Sequence, residues 1–489
     1  MFKKPGEEMR TQKSKEKKNL WTKEIEEIKI PKNRKHELYA IYRGLQEIYD
    51  KCPEVLEAIE KDLTKDVRKD FGRKGMTAWR VLCLIAVRYT KMDYEMLAYS
   101  ACHDELLRQI LEVTELEKFF PTPQCIQNNI SKISQETIEK IFQATIKIAR
   151  NENFEDGSIV RGDTFVCETD IHHPIDNRQL YDCGKKLLEE YEKASIPTMR
   201  KADNLMRELK KANLAIGKIR HSKNNTEEKE QGAYKELIAR VKYIMEKGLK
   251  VEEIKKEYES VMQKKKEIKN VNSVYVEIVV LLILATQLIE LIERRVFKKE
   301  TIPANEKIFS IYEQHTQLIN RGKYPLPIEY GHNIFIAQGK SGLIIDSRVF
   351  EMEETEGQKI TEIIKDNLKL FEKDKFDAWS LDKGFYFKEC HSDLKKYMDM
   401  VVIGKKGYLN EEDKKRESNK KFKKLRHWRS GIESLISALM RGNGLDLCLE
   451  KGYDRYKKYV GFCVVSRNLQ TLGNLLLSAD AQKAKKKIA

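Results

Sequence analysis

Three carboxylates, each inside its own distinctive block, are the residues of this chain best suited to chemistry. Asp163 stands in VRGDTFVCETDIHHPIDNRQL (160–180), Asp382 in WSLDKGFYF (379–387) and Glu433 in RHWRSGIESLISALMRGNGL (426–445). Carboxylate oxygens are hard donors, and a converging set of them can hold two Mg²⁺ ions about 4 Å apart. Such ions stabilise both the attacking and the leaving oxygen of a phosphodiester. The chemistry open to these acids is therefore metal-assisted cleavage of a nucleic-acid backbone.

Each acid also has a plainer reading. Asp163 lies in a run rich in β-branched residues, and an Asp inside a central strand is costly unless it is paired or binds metal. Asp382 precedes Lys383-Gly384, which suits an ordinary Asp-x-Gly turn as well as an exposed carboxylate at the end of a strand. Glu433 has Arg429 at i−4, and a solvated helix pair of that kind contributes only ~0.3–0.5 kcal/mol. In the functional reading Glu433 completes a metal site while Arg426 and Arg429 grip phosphate. Lys423, Lys424 and Arg441 extend the same basic face, and Trp428 stacks on a base or sits in the core. The segment 414–429 carries nine Lys or Arg against one acid, Glu417. His172 and His173 lie near the first acid without further His or Cys at zinc-ligand spacing, so they are read as structural or substrate-contacting.

The elements that must position these residues follow from hydrophobic period. Residues 1–37 read as a basic flexible arm and 38–150 as a helical domain, with Thr77, Asp93 and Ser134 as N-caps. Lys91-Met92-Asp93 forms a short joint between two helices, as in a helix-turn-helix. SIVRGDTFVCETDI reads as a strand with Asp163, Phe165 and Cys167 on one face. Residues 178–300 return to charged helix, suggesting an extended insertion folded as an antiparallel coiled hairpin. NIFIAQG and GLIIDSRVF form a hairpin; a helix, the strand DAWSLD, a helix, the strand MVVIG and two further helices follow. With the insertion set aside, this order is that of an α/β RNase H-like core, assembled from 151–177 and 301–475, with a basic tail at 476–489.

Composition narrows the class. A chain of 489 residues with net charge +16 and 35% charged residues suits a polyanionic partner. Nine cysteines without a CxxC pair argue against a zinc ribbon or disulfide framework and for a reducing compartment. The first residues lack an apolar segment, and the stretch 274–293 contains Glu277 and Glu290, so a buried helix is expected there and no membrane partner. A cytoplasmic protein is expected.

At these blocks the chain resembles the DDE transposases of bacterial insertion sequences, in particular the ISNCY-type group. GDTFVCETDIHHPID is similar to that family's first block, and EQHTQLINRGKYPLPIEYGHNIF (313–335) to its next. The DKGF and R-x-GIE-x-I-S blocks match as well, and GRKGMTAWRVLCLIAVRYTKMDYEMLAYS is similar to the family's DNA-binding entry segment. The resemblance covers most of 70–475. It implies that Asp163, rather than its neighbours Asp170 and Asp176, is the first acid, with Asp382 and Glu433 as second and third. It further implies an RNase H-like fold, Mg²⁺ (with Mn²⁺ as substitute), double-stranded DNA as partner (terminal inverted repeats and target), and a homodimer in the active complex. The expected activity is cleavage and strand transfer at the ends of a mobile element; a catalytically inactive DNA-binding relative and another RNase H-like nuclease are the alternatives. Related transposases carry Tyr-Arg-Glu-Lys around the Glu; here Arg429 and Glu433 are kept, Arg426 stands for the Tyr, and Met440, beside Arg441, for the Lys.

Overall fold

The structure, a computed structural model, describes residues 11–13, 24–31, 36–65, 75–114, 117–194, 202–251, 254–256, 259, 275–322, 327–351 and 356–488. The chain divides into two compact units, Met1–Thr169 with Gly331–Ala489, and Asp170–Tyr330.

The first unit is built on a mixed sheet of five principal strands, β1 (Ile159–Thr169), β2 (Ile328–Gly339), β3 (Ile344–Val349), β4 (Phe376–Leu381) and β5 (Met398–Ile403). Their spatial order is β3-β2-β1-β4-β5. β2 runs antiparallel to β1 and β3, whereas β4 and β5 run parallel to β1. The hairpin expected from NIFIAQG and GLIIDSRVF is β2–β3, and its turn uses Gly342 at φ 94°, a conformation glycine adopts without steric cost. The parallel strands need crossovers, supplied by helices Glu356–Phe371 and Lys388–Leu394. β4 and β5 are near-continuous apolar runs because both faces are covered. Phe376, Trp379, Leu381 and Val402 are all fully or almost fully buried. The expected α/β class is thus observed as a mixed sheet flanked by many helices.

The helices of 38–150 do not form a separate domain. Ile41, Trp79 and Ile141 share one core with Phe335, Trp379 and Leu469. Helix Glu37–Lys51 packs along the long C-terminal helix Tyr453–Ile488. That helix overruns the expected tail at 476–489, because Leu476 and Leu477 are buried and carry it onward. The arm is also partly built in. Ile25 and Ile28 are buried, and Gln46 donates to both their carbonyls, at 2.7 and 3.0 Å. Most of 1–23 lies outside the described residues. Thr77, Asp93 and Ser134 cap their helices as expected, accepting from the amides of Arg80, Met96 and Thr137.

The second unit corrects the coiled-hairpin expectation. Helices Asp176–Lys193, Ala202–Arg220, Glu227–Gly248 and Val276–Ile292 enclose a core of their own around Leu187, Tyr191, Leu237, Val241, Leu282 and Leu288. An extended hairpin would leave one apolar stripe per helix half-covered; bundling buries them. The apolar stretch supplies one of these buried helices, Val276–Ile292. Among the described residues, no helix is long and apolar enough to cross a membrane. Residues 260–274, which the sequence reads as helix, lie outside the described residues.

Backbone contact between helices Glu37–Lys51 and Tyr453–Ile488 depends on glycine. A Cβ added at Gly473 would lie 1.7 Å from the Ala40 carbonyl oxygen, and one at Gly44 would lie 2.6 Å from that of Leu469. Backbone cannot yield as a side chain does. Gly473→Ala is therefore expected to destabilise by ~1–3 kcal/mol or more. Gly217→Ala, where an added Cβ meets nothing within 4 Å, is expected to stabilise by ~0.4–1 kcal/mol. Denaturant unfolding of both variants checks the contrast.

Candidate functional site

Register brings the first two acids together. In the parallel pair, Gly162 of β1 lies opposite Leu381 of β4. One step further along both strands are Asp163 and Asp382. β4 ends there, while β1 continues to Thr169, so the two carboxylates meet at a notch where one strand stops and its neighbour runs on. Gly162 is needed for close packing on the other face, since a Cβ there would lie 2.7 Å from the Leu381 side chain and 2.9 Å from that of Phe335. Asp382 does form the expected tight turn, accepting from the Gly384 amide at 3.3 Å.

One guanidinium joins the pair. Arg429 Nη1 lies 2.5 Å from Asp163 Oδ2, and its Nη2 lies 3.4 Å from Asp382 Oδ1. The Asp163 side chain is 14% exposed and Arg429 18%, whereas Asp382 is 49% exposed. Burial pushes the Asp163 carboxyl above the usual carboxylate range. The Thr164 amide, donating at 2.8 Å, and Arg429 pull it down, and the like charges of Asp382 and Glu433 push it up again, leaving it raised. Glu433 therefore belongs to the same electrostatic cluster.

Arg429 reaches the acids because of its helix. Lys420–Arg429 packs on the sheet through Phe422 and Leu425, which sit against Ala378 and Val402. Positions 422, 425 and 429 follow the three-and-four spacing of one helix face, so Arg429 continues the buried stripe and turns inward. Ser380 of β4 donates to the Leu425 carbonyl at 3.2 Å. Arg161, two residues before Asp163 and on the same face of β1, fixes the end of that helix. Its Nη1 donates to the Trp428 carbonyl at 2.6 Å, its Nε to Gln338 at 2.8 Å, and its guanidinium covers the Trp428 ring at 4.6 Å. A cation is favoured at the last carbonyls of a helix. Neither Arg161 nor Ser380 stands out in the sequence as a site residue. The period-2 relation of Arg161 to Asp163 is the signal that could have found the first of them.

The expectation that Arg429 and Glu433 share one continuous helix is corrected. The helix ends at Arg429, Ser430 and Gly431 form a joint, and a new helix, Ile432–Asn443, begins. A Cβ at Gly431 would lie 2.3 Å from Arg161 Nη1, so a larger residue at the joint would displace the Arg161 guanidinium. Glu433 stands in the first turn of the new helix and is exposed. An acid there is also favoured by the helix dipole.

The other expected residues fall as follows. Lys423, Lys424 and Arg441 are exposed, Arg441 at the opposite end of Glu433's helix. Arg426 pairs with Glu417 at 3.5 Å. Trp428 is half-buried under Arg161. Asp170 and Asp176 belong to the second unit, where Asp176 pairs with Arg295 at 2.5 Å. His172 and His173 are exposed in that unit, and His173 meets the Tyr330 ring edge-on. Among the described residues, no three His, Cys, Asp or Glu side chains stand close enough together to hold a metal ion. The space between Asp163 and Asp382 is taken by the Arg429 guanidinium.

No protein-family model matches the chain, and no curated protein or solved structure is similar to it.

Arg416, in the basic segment, is turned inward as well. Its Nη1 lies 2.8 Å from Nε2 of buried His391. A guanidinium only donates, so His391 accepts there and is neutral. Burial, then the charges of Arg416 and Lys395, press the imidazole from 6.5 down to about 4. The unfolded chain takes up this proton first as pH falls. The stability His391 contributes is therefore full above pH 6.5 and is lost progressively as pH falls towards 4. An NMR titration of the His391 ring is expected to show a midpoint near 4 rather than in the ordinary histidine range.

Proposed function

We propose that this protein is a DDE transposase with an RNase H-like core, cleaving and joining DNA with divalent metal at Asp163, Asp382 and Glu433. The observation that carries the reading is the meeting of Asp163 and Asp382 on one guanidinium, with Glu433 in the same electrostatic cluster. Strand order β3-β2-β1-β4-β5, with the first three antiparallel and the last two parallel, supports the RNase H-like assignment. The sequence blocks around each acid support the transposase assignment.

The donor set suits Mg²⁺ or Mn²⁺, being all carboxylate oxygen. Asp163, Asp382 and Glu433 would hold the ions once Arg429 gives up its place. Bound metal supplies Lewis-acid activation of the attacking oxygen and charge stabilisation of the leaving one. The chain's own residues do the rest. Burial of Asp163 keeps water from one side of the notch, and the exposed Lys423 and Lys424 lie on the same helix as Arg429, where they hold phosphates. Double-stranded DNA is the substrate, as element ends and as target, and two copies of the chain act together because two ends must be joined.

The test is incubation of purified protein with Mg²⁺ or Mn²⁺ and DNA carrying the element's own ends. Asp163→Ala, Asp382→Ala and Glu433→Ala are each expected to lower cleavage by more than about 100-fold while DNA binding persists. Sequence-specific binding without cleavage by the wild type identifies a non-catalytic DNA-binding protein instead. Cleavage indifferent to the ends identifies another nuclease. The double substitution Lys423→Ala, Lys424→Ala is expected to weaken duplex binding uniformly across sequences. It should reduce the slope of log affinity against log salt by about 0.9 for each phosphate no longer neutralised.

A further inference from the structure

We infer that Arg429 is a gate on the acid cluster: its guanidinium keeps divalent metal out of the Asp163–Asp382 notch until a DNA phosphate draws it away. This rests on the reading of the acids as a metal site.

Geometry makes the two cations exclusive. Arg429 holds Asp163 Oδ2 at 2.5 Å and reaches Asp382 Oδ1 at 3.4 Å. These oxygens face the notch, and Mg²⁺ must approach a carboxylate oxygen to about 2.0–2.1 Å. A guanidinium and a divalent ion cannot both occupy that space, and their like charges repel. Yet the lock is incomplete in charge. One guanidinium answers two carboxylates, and the charge of Glu433 also acts on Asp163, so the cluster keeps a net negative charge that attracts a divalent ion.

Position makes the gate movable. Arg429 is the last residue of its helix, and Ser430-Gly431 follows as a joint rather than a further turn. The helix is held to the sheet by Phe422, Leu425 and the contacts of Arg161, none of which needs the Arg429 side chain. The guanidinium can therefore swing without undoing the packing beneath it. Lys423 and Lys424 are exposed on that same helix, so a DNA backbone drawn to them meets the helix that carries Arg429. A phosphate offers a guanidinium the same bidentate geometry as a carboxylate. Metal binding and DNA binding are then linked through one side chain, and linkage is reciprocal.

Mn²⁺ binding to the full chain, followed by electron paramagnetic resonance of the free ion, tests the gate without relying on activity. The proteins are wild type, Arg429→Gln, Arg429→Lys and Asp382→Asn, each checked for folding by thermal melting. Arg429→Gln is expected to bind Mn²⁺ at least about 5-fold more tightly than wild type, the lower end of ordinary coupling. Arg429→Lys, which keeps the charge but loses the fork, should fall between them. A mixed-sequence duplex, saturating by fluorescence anisotropy, should tighten Mn²⁺ binding to wild type and leave Arg429→Gln unchanged. Binding that Asp382→Asn abolishes, but that is equally tight in wild type and both Arg429 variants, overturns the gate and leaves the metal site standing. Mn²⁺ binding that no substitution alters, or no binding by any of the proteins, overturns the metal site and the gate with it. Failure to bind duplex overturns release by DNA.

Discussion

Asp163 is a carboxylate placed on the central strand of a sheet, 14% exposed, with two further acids acting on it. Taking such a charge from water costs several kcal/mol unless it is answered locally. The answer is Arg429, and much of the surrounding architecture serves to deliver it. Phe422 and Leu425 seat the helix on the sheet, the Ser380 hydroxyl holds the Leu425 carbonyl, and Arg161 closes the helix end. The joint at Ser430-Gly431 then redirects the chain so that Glu433 opens a new helix beside the cluster rather than prolonging the old one.

The same first unit ties its ends together. Helix Tyr453–Ile488 packs against helix Glu37–Lys51 and against Gln135–Asn151. It also reaches the sheet, where Asn468 donates to the Ile344 carbonyl and accepts from the Ile344 amide, at 2.8 and 2.9 Å. The helix that carries Glu433 is joined to the N-terminal helices directly. Asn443 donates to the Tyr89 carbonyl at 2.8 Å, and Lys91, at φ 64°, pairs with Asp446 at 3.2 Å. The joint between helices Ala78–Arg88 and Tyr94–His103 is thus seated at the end of the Glu433 helix. The exposed side chains of Tyr94–His103, namely Glu95, Met96, Tyr99 and His103, include no Lys or Arg. That face lacks the cations a DNA-reading helix ordinarily presents.

Charge in the basic segment is divided between internal and external use. Arg416 is spent on His391, Asp413 and Glu417, and Arg426 on Glu417. Arg429 is spent on the acids. Lys420, Lys421, Lys423 and Lys424 remain exposed along one helix. Nine basic residues in the sequence therefore do not amount to nine phosphate contacts, because Arg416 and Arg429 turn inward and Arg426, though exposed, pairs with Glu417.

The sequence by itself determined most of the kinds of element and singled out the three acids. Period-2 alternation marked β1 and put Asp163 on a named face, an Asp-x-Gly turn placed Asp382 at a strand end, and Thr77, Asp93 and Ser134 announced their helices. These are local signals, set by neighbours a few residues away. Tertiary structure alone decided what lies beside what. The one-step register that sets Asp163 against Asp382 joins strands more than two hundred residues apart, and no local pattern encodes it. The inward turn of Arg429 depends on a sheet face for Phe422 and Leu425 to cover. The four-helix packing of 170–330 depends on stripes finding one another across loops. Arg161 carries no local signal of this role for the same reason: its partners, the Trp428 carbonyl and ring, are distant in sequence and meet it only when the sheet and the helix are both in place.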